Sequence, residues 1–109
     1  KLHTSLWFDC YLIIWGPDAV SPIHDHADNG CLYKVIYGNI RERVYSNINL
    51  YETSSKELSV GEIGEIKNSQ GYHKMENINS IKKGNRVKSL VSMSVHFYSP
   101  PGYKMNVFN

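Results

Sequence analysis

His24-Asp25-His26 sets two imidazoles at i and i+2, which an extended backbone carries on one side with Cα atoms about 6.5 Å apart. Rings so placed can converge on one cation, whereas Asp25 is thrown to the opposite side and makes a poor third ligand. A third donor must come from elsewhere, and His73 in Gln70-Gly71-Tyr72-His73-Lys74 is the natural candidate. Three neutral imidazoles would leave the ion its full charge and open positions for anionic or diatomic ligands. Ligand type alone admits Zn, Fe, Cu or Ni. A three-histidine zinc that activates water is the hydrolytic alternative, but no carboxylate is evidently placed as its general base. Glu76, three residues past His73, is the nearest in sequence. The plainer alternative for the pair is two solvent-facing histidines beside a turn, and His3 reads as structural or exposed.

A second constellation lies near the C-terminus, where residues 90–99 alternate with period 2. Val91, Met93, Val95 and Phe97 fall on one face, and Ser92, Ser94, His96 and Tyr98 on the other. A polar face ordinarily meets solvent, but solvent faces favour Lys, Glu and Thr. A hydrogen-bonded Ser–His–Tyr row facing a barrel interior is the competing reading, because each group can donate to the next. Ser99-Pro100-Pro101-Gly102 then ends the strand and is a candidate site for a cis proline.

The elements that must carry these residues are strands. β-branched and aromatic runs punctuated by Gly, Pro and Asn predict strands over 7–15, 31–37, 40–46, 64–67, 71–77 and 90–99. Turns fall at Gly16-Pro17-Asp18, Asp28-Asn29-Gly30, Gly38-Asn39 and Lys83-Gly84-Asn85. Short strands at this spacing predict an all-β sandwich or barrel. The basic run Lys82–Lys88 carries no interleaved aromatic residue and reads as a solvated hairpin loop rather than a phosphate-binding patch.

At 109 residues, with 41% hydrophobic and 20% charged, the chain has room for one domain with a modest core and is not disordered. A net charge of +2 is too mild to imply nucleic acid or an anionic membrane. No run approaches the roughly 20 apolar residues of a membrane span. No signal peptide is visible in the opening KLHTSLWFDC, and the missing initiator Met reads as a cut or processed start. Two cysteines are too few for a disulfide framework. No glycosylation sequon occurs, so a reducing, cytoplasmic setting is expected. Cys10 reads as a small core residue. Cys31 invites a chemical role, the alternatives being an inert buried thiol, a fourth metal ligand or a disulfide with Cys10.

Taken in order, these motifs resemble the cysteine dioxygenase branch of the cupins. The likeness runs from Trp15-Gly16 through Ser21-Pro22-Ile23-His24-Asp25-His26, Cys31 and Lys34-Val35-Ile36-Tyr37-Gly38. It continues in Gly71-Tyr72-His73-Lys74-Met75-Glu76-Asn77 and Ser94-Val95-His96-Phe97-Tyr98-Ser99-Pro100-Pro101. H-x-H is common, but H-D-H with a downstream Cys and S-x-H-x-Y-S-P-P is specific. The resemblance implies a jelly-roll barrel in which His24, His26 and His73 hold Fe(II), open to a small thiol amino acid and to dioxygen. The implied product is a sulfinic acid. It further implies a Ser94–His96–Tyr98 hydrogen-bond row, a Cys31–Tyr98 thioether serving as a protein-derived cofactor, a cis Ser99–Pro100 bond, a structural Trp15 and a monomer.

Family members hold the substrate carboxylate with an arginine that would fall just upstream of Lys1. The first arginine here is Arg41, which matches no family role, and Lys1 would be a poor substitute. The 109 residues are therefore expected to be a single cupin domain, N-terminally truncated from a longer thiol dioxygenase. L-cysteine is the expected substrate, with 3-mercaptopropionate the nearest competitor. A metal-binding cupin or zinc enzyme without oxygenase activity is the alternative from another class.

Overall fold

Alternation of apolar and polar residues along extended runs has its counterpart in the computed structural model, which describes residues 1–4 and 7–108. These residues form strands β1 (His3–Thr4), β2 (Asp9–Trp15), β3 (Ile23–His24), β4 (Cys31–Tyr37), β5 (Asn39–Tyr45) and β6 (Glu52–Ser59). Then follow β7 (Ile63–Ile66), a short 3-10 turn at Asn68–Gln70, β8 (Tyr72–Asn77), β9 (Ser80–Lys83), β10 (Arg86–Ser89), β11 (Ser92–Tyr98) and β12 (Val107–Phe108). One sheet runs β1-β2-β11-β4-β7, the other β12-β3-β8-β5-β6, and β9 pairs with β10 as a separate hairpin. The all-β expectation holds. No helix among the described residues is long and apolar enough to cross a membrane.

The inward faces of the two sheets meet in a core of Trp15, Tyr33, Val35, Ile40, Leu58, Ile66 and Met75. Gly64 makes room for the Tyr33 ring, which a Cβ at that position would strike. The polar row of β11 belongs to this interior: Ser92, Ser94 and His96 are at most 1% exposed, while Phe97 on the opposite face is 37% exposed. Burial of such groups is tolerable because each finds a hydrogen-bond partner.

Asn77 at the end of β8 ties the layers together. Its side-chain amide donates to the carbonyls of Trp15 (3.2 Å), Gly16 (2.7 Å) and Leu90 (2.8 Å), and its oxygen accepts from Ser92 Oγ (2.7 Å).

The expected strands recur with ends shifted by one or two residues, and the four turns lie where Gly, Pro and Asn predict them. No strand is predicted over 52–59, yet β6 forms there. It is an edge strand that pairs along β5, and only Leu58 reaches the core, so no alternation marks it in the sequence. The basic run lies in the exposed β9–β10 hairpin, and the Ser99–Pro100 bond is cis.

Candidate metal centre

His24 and His73 are direct cross-strand partners on β3 and β8, which brings their inward side chains together. The segment leading to His24 is fixed by reciprocal bonds between Ser21 and Met75, backbone to backbone at 2.9 Å and Met75 N–H to Ser21 Oγ at 2.9 Å. His26 follows two residues on and turns to the same side. The three ligating atoms lie within 4.8 Å of one another, and all three residues are buried.

Each Nδ1 faces an acceptor. His24 Nδ1–H donates to Pro22 O (2.8 Å), His26 Nδ1–H to Asn68 Oδ1 (3.1 Å) and His73 Nδ1–H to Glu42 Oε2 (2.7 Å). With the proton drawn to Nδ1, every Nε2 presents a lone pair. The Nε2 atoms of His24 and His73 stand 2.8 Å apart, and the buried Nε2 of His26 has no hydrogen-bond partner among the described residues. Converging lone pairs, one of them unpaired, are unfavourable without a cation and suit one well. The donor set fits a three-histidine metal site with positions left open.

Behind this cluster, Trp15 Nε1–H donates to Ser94 Oγ (2.9 Å), which lies 2.7 Å from His96 Nε2, and His96 Nδ1 lies 3.8 Å from Cys31 Sγ. Of the expected Ser94–His96–Tyr98 row the Ser94–His96 link is present, with Trp15 at its head, but it runs on to Cys31, and no hydrogen bond among the described residues joins His96 to Tyr98. Tyr98 joins by stacking on His96, ring centroids 6.2 Å apart, and by a hydrogen bond to the Cys31 thiol. Cys31 and Tyr98 are direct partners across β4 and β11. Cys10 and Cys31 are both free thiols; Cys10 pairs with Phe97 on β11, the outward-facing side of the sheet. Burial pushes the Cys31 thiol up to about 12 and raises the Tyr98 phenol, so both are protonated at neutral pH. A cavity of about 280 Å³ adjoins the centre, lined by Asp9, Tyr11, Ile13, His24, Asp25, Tyr98, Tyr103 and Met105.

Two residues at the centre escape the sequence reading. Asn68 accepts from the backbone N–H of His26 (2.8 Å) as well as from its ring, and its amide returns a bond to His26 O (3.0 Å). Glu42 is 1% exposed and is the carboxylate beside the histidines. Glu76, the nearest in sequence, instead pairs with Arg41 and Arg43 on the outer face. The usable signal was register: Ile40, Glu42 and Val44 share one face of β5, so a charged residue occupies an apolar stripe. Asp25 accepts from Asn106 N–H and side chain, away from the cluster as expected, and His3 is exposed.

Desolvation holds His26 and His96 down at about 3 and lowers His24 and His73 as well. An unfolded chain protonates such rings below about 6.5, and the folded His26 and His96 resist until near 3. Stability is therefore lost as pH falls through that window, at about 1.4 kcal/mol per pH unit for each ring. Thermal melts of the metal-free chain should drop steadily from pH 7 to pH 4, and His96→Gln should flatten the slope. An unchanged slope in that variant would mean His96 is not buried as the neutral ring.

The family model for cysteine dioxygenase type I matches residues 6–109. Cysteine dioxygenase type 1 of Rattus norvegicus is 28% identical over 99 residues, covering 86% of this chain and 46% of the rat protein. The chain thus spans about half the length of the curated relatives it matches. Among solved structures, a double-stranded β-helix protein of Klebsiella pneumoniae superposes with TM-score 0.73 at 15% identity, covering 99% of this chain and 80% of that one. The cupin domain of Drosophila melanogaster CENP-C gives 0.63 at 13% identity, covering 91% and 63%. At such identities both structures speak to the fold alone: the jelly-roll expectation holds.

Proposed function

The chain belongs to the cysteine dioxygenase type I family, and on that premise we propose that it carries the metal centre of a thiol dioxygenase acting on L-cysteine. His24, His26 and His73 would hold Fe(II), which when bound supplies the point where thiol and dioxygen meet. In the overall conversion the sulfur gains two S–O bonds as the O–O bond breaks. The four electrons lost by sulfur pass to the two oxygen atoms, and the sulfinic acid contains every atom of thiol and dioxygen. No other oxidant is needed.

The observation that carries this reading is the convergence of three Nε2 lone pairs beside a small cavity that Tyr98 also lines. In this reading the Tyr98 hydroxyl steadies the oxygen atoms of the bound substrate. Ser94 and His96 hold Cys31 and Tyr98 in place. Their cross-strand pairing and burial support a Cys31–Tyr98 thioether, in which S–H and ring C–H each give up a hydrogen, an S–C bond forms, and dioxygen takes the two electrons and two protons. A zinc hydrolase is less well supported, since Glu42, Asp25 and Glu76 are each engaged by another residue and none is placed to activate water.

The test is to load the chain anaerobically with Fe(II), measure bound metal, then add dioxygen with either L-cysteine or 3-mercaptopropionate. Iron at about one per chain is expected, with weak or absent cysteine sulfinate in the product mass spectrum, because no arginine among these residues matches the family's carboxylate partner. Peptide mapping should join Cys31 to Tyr98 with loss of two hydrogens, and Tyr98→Phe should abolish that link and slow turnover. Stoichiometric zinc with no iron after loading would sink the oxygenase reading. Sulfinate from 3-mercaptopropionate but not from cysteine would reassign the substrate.

A further inference from the structure

Among the described residues, Glu42 is the one carboxylate whose oxygen meets a ring of the three-histidine cluster. Its Oε2 accepts from His73 Nδ1–H at 2.7 Å, and its Oε1 lies 3.8 Å from Lys56 Nζ. The buried Tyr33 hydroxyl has no hydrogen-bond partner among the described residues. Tyr33 is itself fully buried, with its ring 6.4 Å from that of His73. Glu42 also floors a separate cavity of about 280 Å³, shared with Ser54, Lys56, Glu65 and Gln70, that has no residue in common with the cavity beside Tyr98.

From this geometry we infer that Glu42 is a positioning residue for the metal: it fixes the His73 ring with Nε2 aimed at the other two imidazoles, and its charge strengthens that nitrogen as a donor. The inference rests on the three-histidine reading and deepens it. A hydrogen bond from the far nitrogen to a carboxylate locks the tautomer and makes the near nitrogen more basic, and losing such a partner typically costs ten- to a hundredfold in metal affinity. The other two rings are held by neutral oxygens, those of Pro22 and Asn68. Among the ring anchors, the carboxylate charge comes from Glu42 alone.

Co(II), whose visible absorption reports ligand geometry, is the probe, titrated into the metal-free chain against a competing chelator. Glu42→Ala removes both bond and charge and should weaken Co(II) binding about ten- to a hundredfold with an altered spectrum. Glu42→Gln keeps an acceptor for Nδ1–H without the charge. It should retain the unmodified spectrum while losing a smaller part of the affinity, and it guards against failure of the alanine variant to fold. A merely structural role would lower the melting temperature and leave both the spectrum and the affinity of the folded protein alone. If either variant, folded by circular dichroism, binds Co(II) within twofold of the unmodified chain, the inference is overturned. If the unmodified chain binds no Co(II), it is the three-histidine centre itself that fails.

Discussion

Replacing His73 by alanine should weaken metal binding by at least about a hundredfold and reduce thiol-dependent oxygen uptake to background. The estimate is a lower bound, because loss of a mere hydrogen-bond partner of a ligating histidine already costs ten- to a hundredfold, and here a ligand itself is removed. His73 is fully buried, lies opposite His24 across β3 and β8, and has ring centroids 4.4 Å and 4.3 Å from those of His24 and His26. Two imidazoles from one short segment cannot enclose an ion unaided. Metal analysis of the purified variant, beside its far-ultraviolet circular dichroism, separates loss of the ligand from loss of the fold. A folded variant with unimpaired metal content would place the third donor elsewhere.

Asn77→Asp should be among the most destabilising single changes in this chain. The asparagine amide serves three carbonyls from two segments, those of Trp15 and Gly16 at 3.2 and 2.7 Å and of Leu90 at 2.8 Å. Aspartate puts an acceptor where donors are required. Each buried carbonyl left without its partner costs on the order of 1–3 kcal/mol, and the new charge would be buried as well. A loss of about 3 kcal/mol or more is expected against a typical total of about 5–15 kcal/mol, read as a fall in the urea midpoint. A loss under about 1 kcal/mol would show that solvent reaches these carbonyls. Trp15 heads the row that ends at Cys31, so the same substitution should also loosen the pairing of Cys31 with Tyr98.

The three-histidine cluster was legible in the sequence because a strand's geometry converts i, i+2 spacing into a shared side, and with His96 placed in the polar row and His3 read as structural or exposed, His73 was the histidine left to complete it. The inward course of Ser92, Ser94 and His96 was legible only as one of two readings. A polar face looks alike in sequence whether it meets water or buried partners, and the partners here, Trp15 and Asn77, lie on other strands. Glu42 was hidden for a related reason. Set between Arg41 and Arg43 it reads as part of a charged surface, and only the inward register shared with Ile40 and Val44 distinguishes it. Asn68 sits in a 3-10 turn, where asparagine is ordinary, so its clamp on His26 had no sequence signature. β6 was missed because an edge strand that buries one side chain has no hydrophobic period to display.

The position of β11 between β2 and β4 governs the order of events during synthesis. β2 and β4 are made early but do not pair with each other; each waits for a strand encoded roughly 60 residues after β4 ends. At about 5–20 residues per second, a growing polypeptide would hold both for about 3–12 s with unsatisfied backbone groups and apolar side chains uncovered. The sheet that contains β2 and β4 cannot close before then, whereas β3, β8, β5 and β6 of the other sheet have all been translated once Asn77 is added. The three-histidine cluster itself cannot assemble before His73 has emerged from the ribosome, and chaperone demand should peak in that interval.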